Sequence, residues 1–181
     1  MNARQIIKYI TPLILLILTY QVAGQDEWIR YTGHDLEFEY PSSWGLEDRP
    51  TGVILGQNDS FALSINMHKE GCYPLSQHPQ LIDFMLKLWI NWMDGTQWGE
   101  PITQYSETAL GPYSIGSQAY KNPDQFLICE IQGYTEKNAT VTFALMDWNP
   151  HNPNGEKLSL NLARLKKSLN ITLPDNHTSF V

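Results

Sequence analysis

Leu36-Glu37-Phe38-Glu39-Tyr40-Pro41-Ser42-Ser43-Trp44 is the stretch on which the fold class turns. Leu36, Phe38 and Tyr40 alternate with Glu37 and Glu39, so residues 34–41 read as a strand with one buried face and one wet face. Pro41 ends it, because proline has no N–H to give a ladder. Just downstream, residues 52–56 form a short strand and Gln57-Asn58-Asp59-Ser60 is turn chemistry. Phe61, Leu63, Ile65 and Met67 then alternate with Ala62, Ser64 and Asn66, a second clear strand that closes a hairpin.

Further out, Pro79 opens a helix over 79–93. Its polar residues, Asp83, Lys87 and Asn91, form one narrow stripe, which predicts cover on most of its circumference. Four strands follow, at 103–110, 114–121, 126–135 and 139–147, separated by Gly111-Pro112, Asn122-Pro123-Asp124 and Glu136-Lys137-Asn138. Phe126-Leu127-Ile128-Cys129 is apolar on both faces, which predicts a central strand. In the last strand Val141, Phe143 and Leu145 alternate with Thr140, Thr142 and Ala144. Asn154 can cap a final helix over 155–169, with Leu158, Leu162, Leu165 and Leu169 inward and Lys157, Arg164, Lys166 and Lys167 toward water. Strands, helix, strands, helix with tight turns give an α+β class: a mainly antiparallel sheet flanked by helices, with residues 25–181 as a single domain and a short C-terminal tail.

Ahead of that domain, Arg4 and Lys8 precede an apolar run from Ile10 to Ala23. A basic start, an apolar middle and small residues at the end read as a signal peptide over residues 1–24, with Val22-Ala23-Gly24 as the processing site. The uninterrupted run is about 14 residues, short of the roughly 20 that span a bilayer, so a cleaved leader and an uncleaved anchor helix are both open. Either places the domain outside the cytoplasm, secreted or held on the outer membrane face. If retained, this segment is the chain's only membrane contact.

The 181-residue chain has a formal net charge of −7. Without Arg4 and Lys8, ten basic residues remain against 19 acidic ones, or −9. Nucleic acid needs clustered Lys and Arg, and this balance opposes it. Two cysteines, Cys72 and Cys129, make a candidate disulfide suited to an oxidising compartment, with two buried thiols as the alternative. Asn58, Asn138, Asn170 and Asn176 head Asn-x-Ser/Thr sequons, each in a predicted turn or beyond the last helix.

Catalytic chemistry is sparse. The five histidines form no His-x-His or His-x-x-x-His, and His68 with Cys72 spans a strand end, so no metal site is assigned. Asp147, Asn149, His151, Asn152 and Asn154 make a weak calcium candidate, but a proline-braced connector explains them better than a loop lacking EF-type order. Neither a Gly-x-Ser-x-Gly elbow nor a phosphate-cradling glycine loop occurs. The candidate partner surface is Trp92, Trp98 and Trp148, since an exposed tryptophan is a natural anchor; core cover is the plainer reading of Trp98. Trp44 and Trp89 read as core.

Tyr31-Thr32-Gly33, Phe38-Glu39-Tyr40-Pro41-Ser42-Ser43-Trp44 and the Phe61–Met67 strand together resemble the opening of PsbP-like domains, where an aromatic strand runs into Tyr-Pro-x-x-Trp. The later order of elements is also similar, so the resemblance covers about residues 30–170. It departs at Leu36, where Phe commonly precedes the strand. The resemblance implies a PsbP/Mog-type α/β/α sandwich. The family's best-known members are extrinsic, non-enzymatic accessory subunits of photosystem II, and many others are exported proteins without assigned roles. It therefore implies a non-catalytic binding or accessory domain with a protein partner in a membrane or envelope assembly, and no cofactor. The alternatives are a secreted hydrolase using a carboxylate pair, and a structural envelope component.

Overall fold

A computed structural model describes residues 26–57, 60–69, 77–92, 102–106, 113–122, 125–148 and 155–173. Its elements in chain order are β1 (Trp28–Gly33), β2 (Leu36–Pro41), β3 (Gly45–Arg49), β4 (Gly52–Gln57), β5 (Phe61–His68), α1 (His78–Trp92), β6 (Ile102–Ser106), β7 (Tyr113–Asn122), β8 (Gln125–Tyr134), β9 (Ala139–Asp147), α2 (Gly155–Ser168) and β10 (Asn170–Ile171). The hydrophobic segment at residues 1–24 lies outside the described residues. No helix among the described residues is long and apolar enough to cross a membrane.

The single sheet expected from the turns is in fact two. Seven strands form the larger, in the order β3-β4-β5-β9-β8-β7-β6, and β1-β2-β10 form a smaller one. All their pairings are antiparallel. The chain changes sheet at Pro41-Ser42-Ser43-Trp44, where Ser42 N–H donates to Glu27 C=O at 2.7 Å and Trp44 N–H to Pro41 C=O at 3.0 Å. Two-residue turns set the register on either side. In the β1–β2 turn, His34 and Asp35 sit at φ 53° and 56°, the left-handed pair that matches strand twist.

The two faces of the large sheet have separate cores. On one face Leu55, Leu63, Ile65, Val141 and Phe143 meet Leu36 and Phe38 of β2, Leu165 of α2 and Ile171 of β10. On the other, Ile82 and Leu86 of α1 cover Leu127, Cys129, Ile131, Ala144 and Met146. The layers are thus α2 with the small sheet, the large sheet, then α1. Fully burying each of the Val, Leu, Ile, Phe and Met side chains among them is worth about 1.5–3 kcal/mol.

Two expectations are corrected, on α1 and on Lys166. β8 is interior to the seven strands as expected, between β7 and the middle strand β9. Each of the nine residues of β9 is buried, Thr140 and Thr142 included; Thr142 Oγ1 meets His68 Nε2 at 3.1 Å, which lets a hydroxyl go inside. Helix α1 is not covered on most sides: Phe84 and Leu88 stand 63% and 57% exposed beside the Asp83–Lys87 ion pair. Lys166 does not face water. It is half-buried, ion-paired to Glu130 and 5.2 Å from the Phe143 ring. Gln132 Nε2 donates to Glu130 Oε1 at 2.6 Å and Tyr134 Oη donates to Gln132 Oε1 at 2.9 Å, so this chain of polar groups is hydrogen-bonded throughout. Burial, then the Glu130 charge, raises the Tyr134 hydroxyl pKa.

Candidate functional site

The Tyr40-Pro41-Ser42-Ser43-Trp44 turn, the end of β4, the start of β5 and the end of β9 meet at one end of the large sheet. Trp44 packs edge-on to Phe61 there, with ring centroids 4.8 Å apart and planes at 67°. Both rings are buried. Trp148 N–H donates to Ser60 C=O at 2.9 Å, which pins the chain leaving β9 to the start of β5.

Two depressions flank that aromatic pair. The first is a cleft of about 90 Å³ lined by Asp26, Ser43, Ser60, Asp147, Lys157 and Asn161 among others. It is smaller than the roughly 300–1,000 Å³ of a small-molecule pocket. Asp26 is ion-paired to Lys157 at 2.8 Å, and Asp147 is buried. The second is an open groove of about 730 Å³ on the α1 side of the sheet. Gly45, Glu47, Ile54, Gly56 and Ala62 line it, with Trp148 as a wall.

The groove exists because α1 packs over β7 and β8 and leaves the β3–β4–β5 part of that face open. Register does the rest: Gly45 pairs with Gly56, and Gly56 with Ala62. Three small residues in a row across three strands make a trough that runs from the sheet edge inward. Trp148 is half-buried, packed at its base against the α1 core.

Charges surround the mouth. Glu47 and Arg49 form an exposed ion pair at 2.7 Å. On the opposite face of β3, Asp48 Oδ1 lies 2.8 Å from His34 Nε2 and accepts from Tyr31 Oη at 3.1 Å. The His34 and Tyr31 hydrogen bonds lower the Asp48 pKa. Burial and the bond to Asp48 push the Tyr31 hydroxyl up to about 12. Beside it, the Arg30 hydrogen bond and charge lower the pKa of Glu37.

Of the candidate site residues, Trp148 alone is placed at this groove. Trp92 ends α1 with its side chain outside the described residues, and Trp98 lies wholly outside them. Cys129 is a free thiol, buried beneath α1 among Ile82, Leu86 and Leu127, so it is not half of a bridge in this structure. Burial pushes that thiol up to about 12. Cys72, Asn58 and Asn176 lie outside the described residues. Asn138 sits in the β8–β9 turn at φ 45°, and the Thr140 of its sequon is buried. Asn170 is exposed in β10 and hydrogen-bonds Glu37. Of the oxygen-rich connector only Asp147 is described, and no metal-binding cluster of His, Cys, Asp or Glu occurs among the described residues. Sequence reasoning missed Gly45, Glu47, Ile54, Gly56 and Ala62. Glycine inside a short strand was the available signal, since it marks places where another backbone or a ligand comes close.

No protein-family model and no curated protein matches this sequence. Solved structures do match in shape. Cyanobacterial PsbP (CyanoP) from Synechocystis sp. PCC 6803 superposes with a TM-score of 0.58 at 14% identity, over 82% of this chain and 94% of that one. The fold is PsbP-like. The Saccharomyces cerevisiae Ran-binding protein Mog1p superposes with a TM-score of 0.51 at 8% identity, over 82% of this chain and 96% of that one. At these identities the likeness is one of fold, and function rests on the site itself.

Proposed function

We propose that this protein is a non-catalytic binding domain working outside the cytoplasm, and that the Trp148 groove receives a protein partner in a membrane or envelope assembly. The observation that carries this reading is the groove: about 730 Å³, open, floored by small residues and walled by a half-buried tryptophan. Tryptophan in a desolvated recess is the usual energetic centre of a protein interface. The PsbP-like fold supports the reading, because a similar structure belongs to a Ran-binding protein. A hydrolase built on a carboxylate pair needs a carboxyl held protonated in a pocket. Among the described residues, Glu37 and Asp48 do not meet that need, because hydrogen bonds from Arg30 and from His34 and Tyr31 lower their pKa. A leader over residues 1–24 would export the domain, and its retention would hold the groove beside membrane partners.

Gentle detergent extraction of epitope-tagged protein tests the reading. The native protein should bring down one defined envelope protein, and Trp148→Ala should lose it by about tenfold or more, as expected of a central tryptophan. Equal recovery by Trp148→Ala would sink the groove as the binding surface. Sequencing the mature N-terminus separates a start at Gln25 from a retained anchor.

A further inference from the structure

The groove opens onto β3, and among the described residues β3 is the last strand on its side of the large sheet. All five of its residues, Gly45 to Arg49, are exposed. The direction of its free backbone groups follows from one hydrogen bond. Met67 N–H donates to Thr51 C=O at 3.1 Å. In an antiparallel ladder, backbone groups alternate between the two neighbours. The odd-numbered residues of β4 therefore bond to β5, and Gly52, Ile54 and Gly56 bond to β3. Their partners are Arg49, Glu47 and Gly45. Leu46 and Asp48 are left with N–H and C=O pointing outward, where no further strand lies among the described residues.

We infer that β3 takes up an extended segment of the partner protein as an added strand, with a large apolar side chain of that segment in the Gly45–Gly56–Ala62 trough against Trp148. This rests on the binding reading above and adds the chemistry of the partner. Only an extended backbone can pair with the outward groups of Leu46 and Asp48. Side chains on the α1 side of such a strand, beside Gly45 and Glu47, reach the trough because Gly45 and Gly56 leave its edge open. Arg49 pairs with Glu47 on one face and His34 meets Asp48 on the other, and as Arg49 is the one permanent cation against these two acids, the segment also carries a basic residue. A second copy of β3 fits poorly. Self-pairing centred on Glu47 or on Asp48 sets like carboxylates directly opposite one another, and self-pairing centred on Leu46 sets Asp48 opposite Trp44, outside the strand. Charged residues and the Pro50 that follows are also the usual guards against edge-to-edge association.

The test uses the purified protein and a displayed library of random 12-residue peptides. Leu46→Pro removes an outward N–H that no ladder bond uses, so it should leave the fold intact. Leu46→Thr changes the side chain and keeps the N–H. Selected peptides should bind the native protein and slow amide exchange at Leu46 and Asp48. Leu46→Pro should weaken binding by about tenfold, the worth of one hydrogen bond and the strand geometry around it, while Leu46→Thr stays within about threefold. If Leu46→Pro fails to fold, Gly45→Val carries the test. A Cβ there meets nothing nearer than Gly56 O at 3.7 Å, so it fills the trough without strain, and peptide binding should again fall about tenfold. Peptides that bind Leu46→Pro as well as native protein overturn strand addition, as do unchanged exchange rates at Leu46 and Asp48. A concentration-dependent dimer dissolved by Leu46→Pro would give the edge to a second copy and also overturn it. The two readings fail separately: a cellular partner lost in Trp148→Ala but kept in Leu46→Pro upholds the groove and rejects the added strand.

Discussion

Cys129 offers the sharpest test of how the α1 side of the core is built. Its thiol is fully buried in β8 under Ile82 and Leu86, and burial raises its pKa from 9.0 to about 12. At pH 8 an ordinary thiol is about one-tenth thiolate, whereas this one is about one part in ten thousand. Since the thiolate is the nucleophile, iodoacetamide should label folded Cys129 at least about a thousandfold more slowly than unfolded Cys129. The same shift couples to stability. A pKa raised by folding means the folded state holds the proton more tightly. That contribution is complete below pH 9 and is lost as pH rises toward 12, about 4 kcal/mol for three pH units. Urea unfolding of a Cys72→Ser protein should therefore show stability falling between pH 9 and 10, before the raised tyrosines Tyr31 and Tyr134 join in. Cys129→Ala should flatten that fall. Labelling within tenfold of the unfolded control refutes the buried-thiol geometry. So does native, unreduced protein in which position 129 is found bridged.

Three further outcomes follow from packing. Gly52→Ala should cost about 1–3 kcal/mol in thermal or urea unfolding, because a Cβ there lands 2.0 Å from Ile65 O, while Gly45→Ala should cost under about 1 kcal/mol. Leu165→Ala should cost about 2–5 kcal/mol, since Leu165 is 0% exposed where α2 meets β2, and a loss under 1 kcal/mol would mean the helix is not seated there. Asp35→Val should lower stability by about 1–2 kcal/mol, because a β-branched residue resists φ 56° and the Lys69 ion pair is lost; Asp35→Asn, which loses the same ion pair but tolerates that backbone, should cost under about 1 kcal/mol.

Much of the fold was legible because burial wrote it into the period. Leu36–Tyr40 and Phe61–Met67 each have one buried face, and their alternation matches β2 and β5 closely. Helices α1 and α2 were bounded by proline, asparagine and leucine spacing to within a residue of His78–Trp92 and Gly155–Ser168. What escaped lacked a period. Gly45-Leu-Glu-Asp-Arg49 is exposed throughout, and it is a strand only because β4 supplies a ladder, a tertiary effect that outranks propensity. Trp28–Gly33 is half-exposed without clean alternation, and β10 is two residues long. The split into two sheets was hidden because a turn such as Pro41–Trp44 does not say which strands it will leave side by side. The site was legible only at Trp148. Its floor is glycine and alanine, whose meaning comes from lying next to one another across three strands, a relation set by register. The cysteines misled for a similar reason: an even count suggests a bridge, but an apolar strand position is equally the mark of a buried thiol.

The groove beside β3 is the centre of the account, and site-specific crosslinking in intact cells tests it most directly. A photoreactive residue at Glu47, on the rim of the groove, is compared with one at Leu160, which is 65% exposed on α2 away from it. A single crosslinked protein species is expected at position 47, absent from position 160 and lost when Trp148→Ala is added. An identical pattern at both positions, or no crosslink at 47 under conditions where 160 gives one, would contradict it.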